Sequence, residues 1–262
     1  MFLESRRGGR PWLDKGPEKA QTASMSLSWA VLDMLFSRTC EGCGAAMGEE
    51  SGSLCWDCRA EVKPVQVPFC ERCGDPVAGA VVGPFECAWC HKTEPAFDWA
   101  RSAVRYEGAA KTCLRRFKYN AGMWMLDDLT DWLVALWRTC PESVHTADFL
   151  ACVPLHPARE RERGYNQAAL LGDRLAIHVG IPFQRRLLWR RKATETQTHL
   201  TAAQRAHNVK GVFSVPWPNR VRGARIVLVD DVMTTGATVN ECARALKAAG
   251  ASSVMVLTVA RG

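Results

Sequence analysis

One stretch constrains the fold more than any other part of the chain: Arg225-Ile226-Val227-Leu228-Val229-Asp230-Asp231-Val232-Met233-Thr234-Thr235-Gly236-Ala237-Thr238. Its four branched apolar residues, Ile226 to Val229, read as a strand buried on both faces, as in a parallel sheet. Two carboxylates follow where the strand is expected to end. A hydroxyl-rich loop around Gly236 comes next, then a helical pattern. In open α/β sheets, ligands bind just beyond the carboxyl ends of strands. The residues collected there suit a sugar phosphate. Asp230 and Asp231 can accept hydrogen bonds from ribose hydroxyls. Thr234, Thr235 and Thr238, with backbone N–H groups at a helix N-terminus, can wrap a phosphate. Gly236 permits positive φ and close approach of the backbone.

An ordinary strand–turn–helix with a Thr or Asp cap accounts for one or two of these polar residues, but not for the ordered set. An apolar strand, two acids and then T-T-G-x-T closely resembles the phosphoribosyl-pyrophosphate (PRPP) signature of type I phosphoribosyltransferases. The resemblance implies a PRPP site made of Asp230, Asp231, Thr234, Thr235, Gly236, Ala237 and Thr238, with magnesium accompanying the ligand.

The 262 residues suffice for one large domain or two smaller ones. Charge is divided unevenly along them. Residues 1–98 carry 10 Lys+Arg against 14 Asp+Glu, and residues 99–262 carry 24 against 13. The basic part is the one with the PRPP-like stretch, which fits a polyanionic ligand. A nucleic-acid surface needs the same charge, so charge alone does not separate the two. Residues 1–24 are polar and aperiodic and are expected to form a disordered tail; Met25, directly before the first helical pattern, is an alternative start. Leu27 to Phe36 is too short to span a bilayer, which takes about 20 apolar residues. The spacing of Leu27, Val31, Met34 and Leu35 predicts a docking helix instead. With no signal-peptide pattern and no other long apolar run, a cytoplasmic protein without membrane insertion is expected.

Eight of the twelve cysteines form four C-x-x-C pairs: Cys40/Cys43, Cys55/Cys58, Cys70/Cys73 and Cys87/Cys90. A C-x-x-C turn aims two sulfurs at one point, and two such turns complete a tetrahedral thiolate site. Disulfides fit poorly without a secretion signal, and a redox C-x-x-C normally occurs once, within a βαβ unit. Two structural zinc sites of four cysteines each are expected. Sequential pairing is preferred to an interleaved arrangement, which spacing does not exclude. Residues 25–98 carry 5 Lys+Arg against 11 Asp+Glu, and each zinc with four thiolates adds two negative charges. Such ribbons suit protein docking better than phosphate contacts.

From Phe97 the pattern is α/β: a strand at 100–105, helices from Gly108 and over 125–137, a strand at 148–153, a helix at 168–178, and strand candidates at 183–188 and 253–259. The alternation predicts a parallel sheet with right-handed crossovers. Three regions follow: a tail over 1–24, a short helix with double zinc ribbon over 25–96, and a phosphoribosyltransferase-like domain over 97–262. After the strand at 148–153 comes a Pro/His/Arg loop that places cations at a second strand end. In type I phosphoribosyltransferases the corresponding loop is where pyrophosphate sits, so the resemblance implies His156, Arg159, Arg163 and Asn166 as candidates for pyrophosphate contact. The polar stretch 189–208, with Gln197 and Arg205, lies where type I phosphoribosyltransferases carry a loop that closes over the substrate, so the resemblance implies such a loop here.

C-x-x-C-G ribbons, Phe117-Lys118-Tyr119, Val153-Pro154-Leu155-His156, Arg163-Gly164-Tyr165-Asn166-Gln167, Gln197…Arg205…Asn208…Phe213 and the PRPP-like stretch occur in the order that resembles the ComF family of competence proteins, over residues 27–262. That resemblance implies a role in natural transformation, at the inner membrane through partners: a DNA translocase helicase and recombination proteins. Single-stranded DNA is a further candidate partner. Two functions remain open: a PRPP-binding adaptor of DNA uptake, and an active phosphoribosyltransferase acting on an unidentified base.

Overall fold

The computed structural model describes residues 38–48, 52–119, 122–192 and 209–262. The expected tail, the docking helix at 27–36, and Gln197 and Arg205 lie outside the described residues. Five strands form one parallel sheet: β1 (Trp99–Arg105), β2 (Phe149–Cys152), β3 (Phe183–Gln184), β6 (Arg225–Met233) and β7 (Ser253–Arg261). Their order is β1-β7-β6-β2-β3. Between β3 and β6 the short strands β4 (Trp189–Arg190) and β5 (Phe213–Ser214) pair antiparallel as a separate ribbon. The helices are α1 (Trp56–Ala60), α2 (Ala88–Thr93), α3 (Gly108–Tyr119), α4 (Leu126–Arg138), α5 (Glu142–His145), α6 (Pro157–Arg163), α7 (Gln167–Val179) and α8 (Ala237–Ala248). None is long and apolar enough to cross a membrane.

Strand alternation sorts side chains to two cores. Val227 and Val229 face α3, α4 and α7, together with Met255 and Leu257. Ile226 and Leu228 face α8, together with Val254 and Val256. The cysteine-bearing segments divide between these same faces. Cys40, Met47, Leu54 and Cys58 join the first core, whereas Cys70, Cys73, Cys90 and Phe97 join the second. Residues 63–65 connect the two segments and run along the outer edge of β1, with Val65 N–H donating to Ala103 O (3.0 Å) and Arg105 N–H to Lys63 O (2.8 Å). That pairing covers an edge otherwise open to another chain.

Three local expectations are corrected. The strand expected over 183–188 stops at Gln184, because a turn closes there with Leu187 N–H donating to Gln184 O at 3.3 Å. The Pro/His/Arg segment is a helix, α6, with proline in its first turn and His156 as its N-cap; a proline there sets the helical φ and lacks only an N–H that would be unpaired anyway. The central strand does not end at the acids but continues to Met233, because β7 keeps pairing with it, through Asp230 with Thr258 and Met233 with Arg261.

Candidate functional site

The order of the sheet reverses between β2 and β6, and the crevice at their carboxyl ends is the place such a topology reserves for a ligand. β2 pairs with β6 only as far as Cys152 with Val229, after which Val153 N–H donates to Val229 O (3.0 Å). Beyond that point β6 projects alone on this side. Asp230 and Asp231 occupy this projection, open on the β2 side and paired with β7 on the other, beside the segment 153–156 that leaves β2.

Alternation sends the two carboxylates to opposite faces of the strand. Asp231 is buried on the α3 side, where Lys118 Nζ lies 3.1 Å from its Oδ1. Burial opposes the charge of Lys118, but Asp231 and Asp230 hold its ammonium above the ordinary lysine range. Asp230 accepts a hydrogen bond from the N–H of Asp231 (2.9 Å). Burial, and then the charge of Asp231, push the Asp230 carboxyl up to about 8, with Lys118 and Arg190 only partly offsetting them. The site thus contains one carboxylate with a close cationic partner and one whose charge is incompletely compensated. Oxygen donors of this kind suit hydroxyls and hard cations.

The loop after β6 has the form expected of a phosphate cradle. Gly236 adopts φ +76° and caps α8, with Asn240 N–H donating to its carbonyl (2.9 Å). A Cβ on Gly236 would lie 2.8 Å from Met233 Cε and 3.2 Å from the Trp89 ring. The second cysteine segment therefore packs directly on this loop. Arg261, nearly buried at the end of β7, strengthens the contact. Its guanidinium donates to the carbonyls of Met233 (3.1 Å) and Thr234 and forms an ion pair with Asp75 (3.0 Å). A cavity of about 460 Å³ lies between the two parts, lined by Asp75, Trp89, Thr234, Thr235 and Arg261 among others.

On the β2 side, the predicted basic residues have different surroundings. Arg159 lies close enough to Arg190 for their charges to repel. Arg163 stacks over Tyr119 at 5.2 Å and donates to Gln167 Oε1 (2.7 Å). His156 Nδ1 accepts from Ala158 N–H at 3.3 Å. Asn166 is buried; its amide donates to Val153 O (3.1 Å), and its Oδ1 accepts from Ala169 N–H (3.3 Å). Both ends of Asn166 are thus spent on holding the segment after β2 to the start of α7. Tyr165 donates to Phe117 O, tying the same segment to the helix that bears Lys118.

Lys118 and Arg190 are charged groups of the site that no motif singles out, although Arg190 lies within the polar stretch 189–208. Lys118 sits in the Phe117-Lys118-Tyr119 motif, but only the crossing of α3 over the end of β6 reveals its carboxylate. Arg190 belongs to the charge run 185–192, whose spacing does not indicate which member turns inward. The burial that would single out Arg261 is likewise invisible in sequence.

The cysteines group sequentially. Cys40, Cys43, Cys55 and Cys58 form one cluster, and Cys70, Cys73, Cys87 and Cys90 the other. Sulfurs lie 3.8 Å apart between Cys43 and Cys55, and 3.7 Å apart in both Cys70–Cys90 and Cys73–Cys87. A zinc–sulfur distance of about 2.3 Å gives a tetrahedral edge of about 3.8 Å, so the clusters fit zinc. Against the effect of burial, backbone N–H groups, those of Cys55 and Cys87 first among them or nearly so, draw Cys40 down to about 6 and Cys70 to about 7. Burial and the neighbouring thiols push Cys58, Cys73 and Cys90 upward. Four crowded sulfurs of this kind ionise together only around a cation.

Residues 31–92 match the family model described as a double zinc ribbon domain, and residues 166–262 the one described as a phosphoribosyl transferase domain. Competence protein F of Haemophilus influenzae is 31% identical over 229 residues, covering 86% of this chain and 98% of its own. The DNA utilization protein YhgH of Salmonella typhimurium is 30% identical over 224 residues, covering 79% and 96%. Competence protein ComFC of Bacillus subtilis is 28% identical over 219 residues, covering 79% and 84%.

Proposed function

Because this chain belongs to the ComF family of competence proteins, we propose that it binds PRPP, or a related phosphoribosyl ligand, in the crevice between β2 and β6 and serves the handling of DNA during natural transformation. The observation that carries the proposal is the placement of Asp230 and Asp231 where β6 runs on past its pairing with β2, still paired with β7, immediately before a phosphate-type loop. In this reading the acids hold the ribose hydroxyls. Backbone N–H groups and hydroxyls of 234–238 hold the 5′-phosphate. Arg159 and Arg163 supply positive charge toward the pyrophosphate, His156 turns its Nε2 to the same side of the crevice, and Asn166 positions their segment. Magnesium enters with the ligand, supplying positive charge to the pyrophosphate oxygens.

The zinc ribbons have a structural role in this reading: each completes one core of the sheet, and the second braces the phosphate loop through Trp89 and the Asp75–Arg261 pair. Their acidic surface suits protein partners. The family relationship suggests a DNA translocase helicase and recombination proteins, which would hold this protein at the cytoplasmic side of the inner membrane.

Titration calorimetry with PRPP and magnesium tests the site. Saturable 1:1 binding is expected, weakened at least tenfold when Asp230 and Asp231 are both replaced by Asn, since Asp231 loses hydrogen bonds made by a charged acceptor and each side chain exchanges an acceptor oxygen for an NH2. Equal affinity in the double variant would remove the assignment. Pyrophosphate release that requires an added nucleobase would show that the site also performs glycosyl transfer.

A further inference from the structure

The two cysteine clusters differ in what they touch. The segment of the first is tied to helices on one face of the sheet: Glu41 pairs with Arg116 on α3, and Ser53 and Arg59 donate to Asp128 on α4. The second is tied to the phosphate loop, and by both of its cysteine turns. The turn Cys70–Cys73 leads through Gly74 into Asp75, whose carboxylate lies 3.0 Å from the Arg261 guanidinium. Arg261 in turn donates to the carbonyls of Met233 and Thr234. The turn Cys87–Cys90 encloses Trp89, whose ring lies 3.2 Å from where a Cβ on Gly236 would stand. The cavity of about 460 Å³ between the two parts is lined by Cys73 and Cys87 as well as by Thr234 and Thr235.

Little besides the cluster fixes these two contacts. Asp75 follows a short turn, and Trp89 lies in a six-residue helix. Cysteine turns of this size keep their shape through the metal they hold, and small zinc modules lose their fold without it. Emptying the second cluster would therefore release Asp75 and Trp89 together. The Arg261 side chain is only 8% exposed, and without Asp75 it becomes a buried cation that has lost its carboxylate, a strongly unfavourable arrangement. As its guanidinium turns toward water, the carbonyls of Met233 and Thr234 lose their donor. Met233 and Gly236 lose the indole packed against them, and the cavity leaves the loop room to relax.

We propose that the second cluster is a regulatory metal centre: its zinc occupancy sets the affinity of the loop 234–238 for a phosphate, through Asp75–Arg261 and Trp89–Gly236, while the first cluster is structural. The proposal rests on the phosphoribosyl reading for its ligand. Linkage makes the effect reciprocal. A ligand on the loop tightens zinc in the second cluster by the same factor by which zinc there tightens the ligand. Loss of that one metal then lowers ligand affinity, while the sheet and the first cluster keep their own contacts.

The test is equilibrium competition for zinc between the full, reduced, zinc-loaded chain and a zinc-selective chromogenic chelator, with and without saturating PRPP and magnesium. One of the two zinc ions is expected to be held about 5- to 150-fold more tightly with PRPP, the usual range of coupling between two sites, and the other to be unchanged. Trp89→Ala and Asp75→Asn touch no cysteine and should each reduce that factor, whereas Arg59→Gln, in the first segment, should keep it. Two ions that respond alike to bound PRPP, or a factor undiminished in both variants, would overturn the proposal. Hydrogen exchange of the 233–238 amides reads the same coupling with no ligand present. Relative to the amides of β7, exchange there should quicken in Cys87→Ser and not in Cys43→Ser. Equal protection in Cys87→Ser with the second zinc gone would likewise overturn the proposal. Failure of PRPP to bind the zinc-loaded chain would remove the phosphoribosyl reading, with hydrogen exchange still deciding the coupling.

Discussion

Asp230 and Asp231 are adjacent in sequence but live in different surroundings. Asp231 has Lys118 at 3.1 Å, whereas Asp230 is raised to about 8 by burial and by its neighbour's charge. A carboxyl raised in the folded state retains its proton to higher pH than in the unfolded chain, where it titrates near 3.8. Stability linked to Asp230 is therefore full below about pH 4 and declines as pH rises toward 8. Asp230→Asn removes that decline. Its melting temperature should gain on the wild type between pH 5 and pH 9, whereas parallel curves would contradict the assigned environment. Gly236 offers a second test at this scale. Its φ of +76° disfavours any side chain, and a methyl group there would displace Met233 Cε, 2.8 Å away, and press on the Trp89 ring at 3.2 Å. Gly236→Ala is expected to cost about 1–2 kcal/mol from the left-handed backbone alone, read by urea denaturation, and to weaken PRPP binding as the loop shifts. Wild-type affinity with an unaltered denaturation midpoint would show that the loop does not depend on this conformation.

At the scale of elements, the ribbons act as parts of the α/β core. Asp128 on α4 accepts from the N–H and Oγ of Ser53, at 2.7 and 2.6 Å, and from Arg59 at 3.1 Å. All three donors belong to the first cysteine segment. Asp128→Ala leaves the two Ser53 donors unsatisfied in a buried place and is expected to cost about 2–4 kcal/mol. Metal analysis should still return two zinc ions per chain, since no cysteine is touched. Loss of zinc in this variant would mean that α4, and not the four sulfurs, organises the cluster.

Over the whole molecule, the features legible in sequence are those fixed by local chemistry. The C-x-x-C spacing identified both clusters, and the apolar run 226–229 identified the central strand, because turn geometry and strand periodicity act over a few residues. What had to be read from structure depends on packing between distant segments. β6 extends past its acids because β7 continues beside it, and α6 forms where proline and histidine suggested a loop. Trp89 reaches Gly236 across nearly 150 positions of sequence, and no periodicity reports such a contact. The same holds for Lys118, whose partner lies more than a hundred residues away.

The central claim is that the acids of β6 and the loop 234–238 together hold a phosphoribosyl ligand. A crystal structure of the zinc-loaded chain with PRPP and magnesium tests it most directly. Ribose hydroxyls are expected at Asp230 and Asp231, the 5′-phosphate on the N–H groups of 234–238, and pyrophosphate toward 156–163. A ligand seated elsewhere, such as the cavity beside Trp89 and Asp75, or a vacant crevice at saturating PRPP, would contradict it.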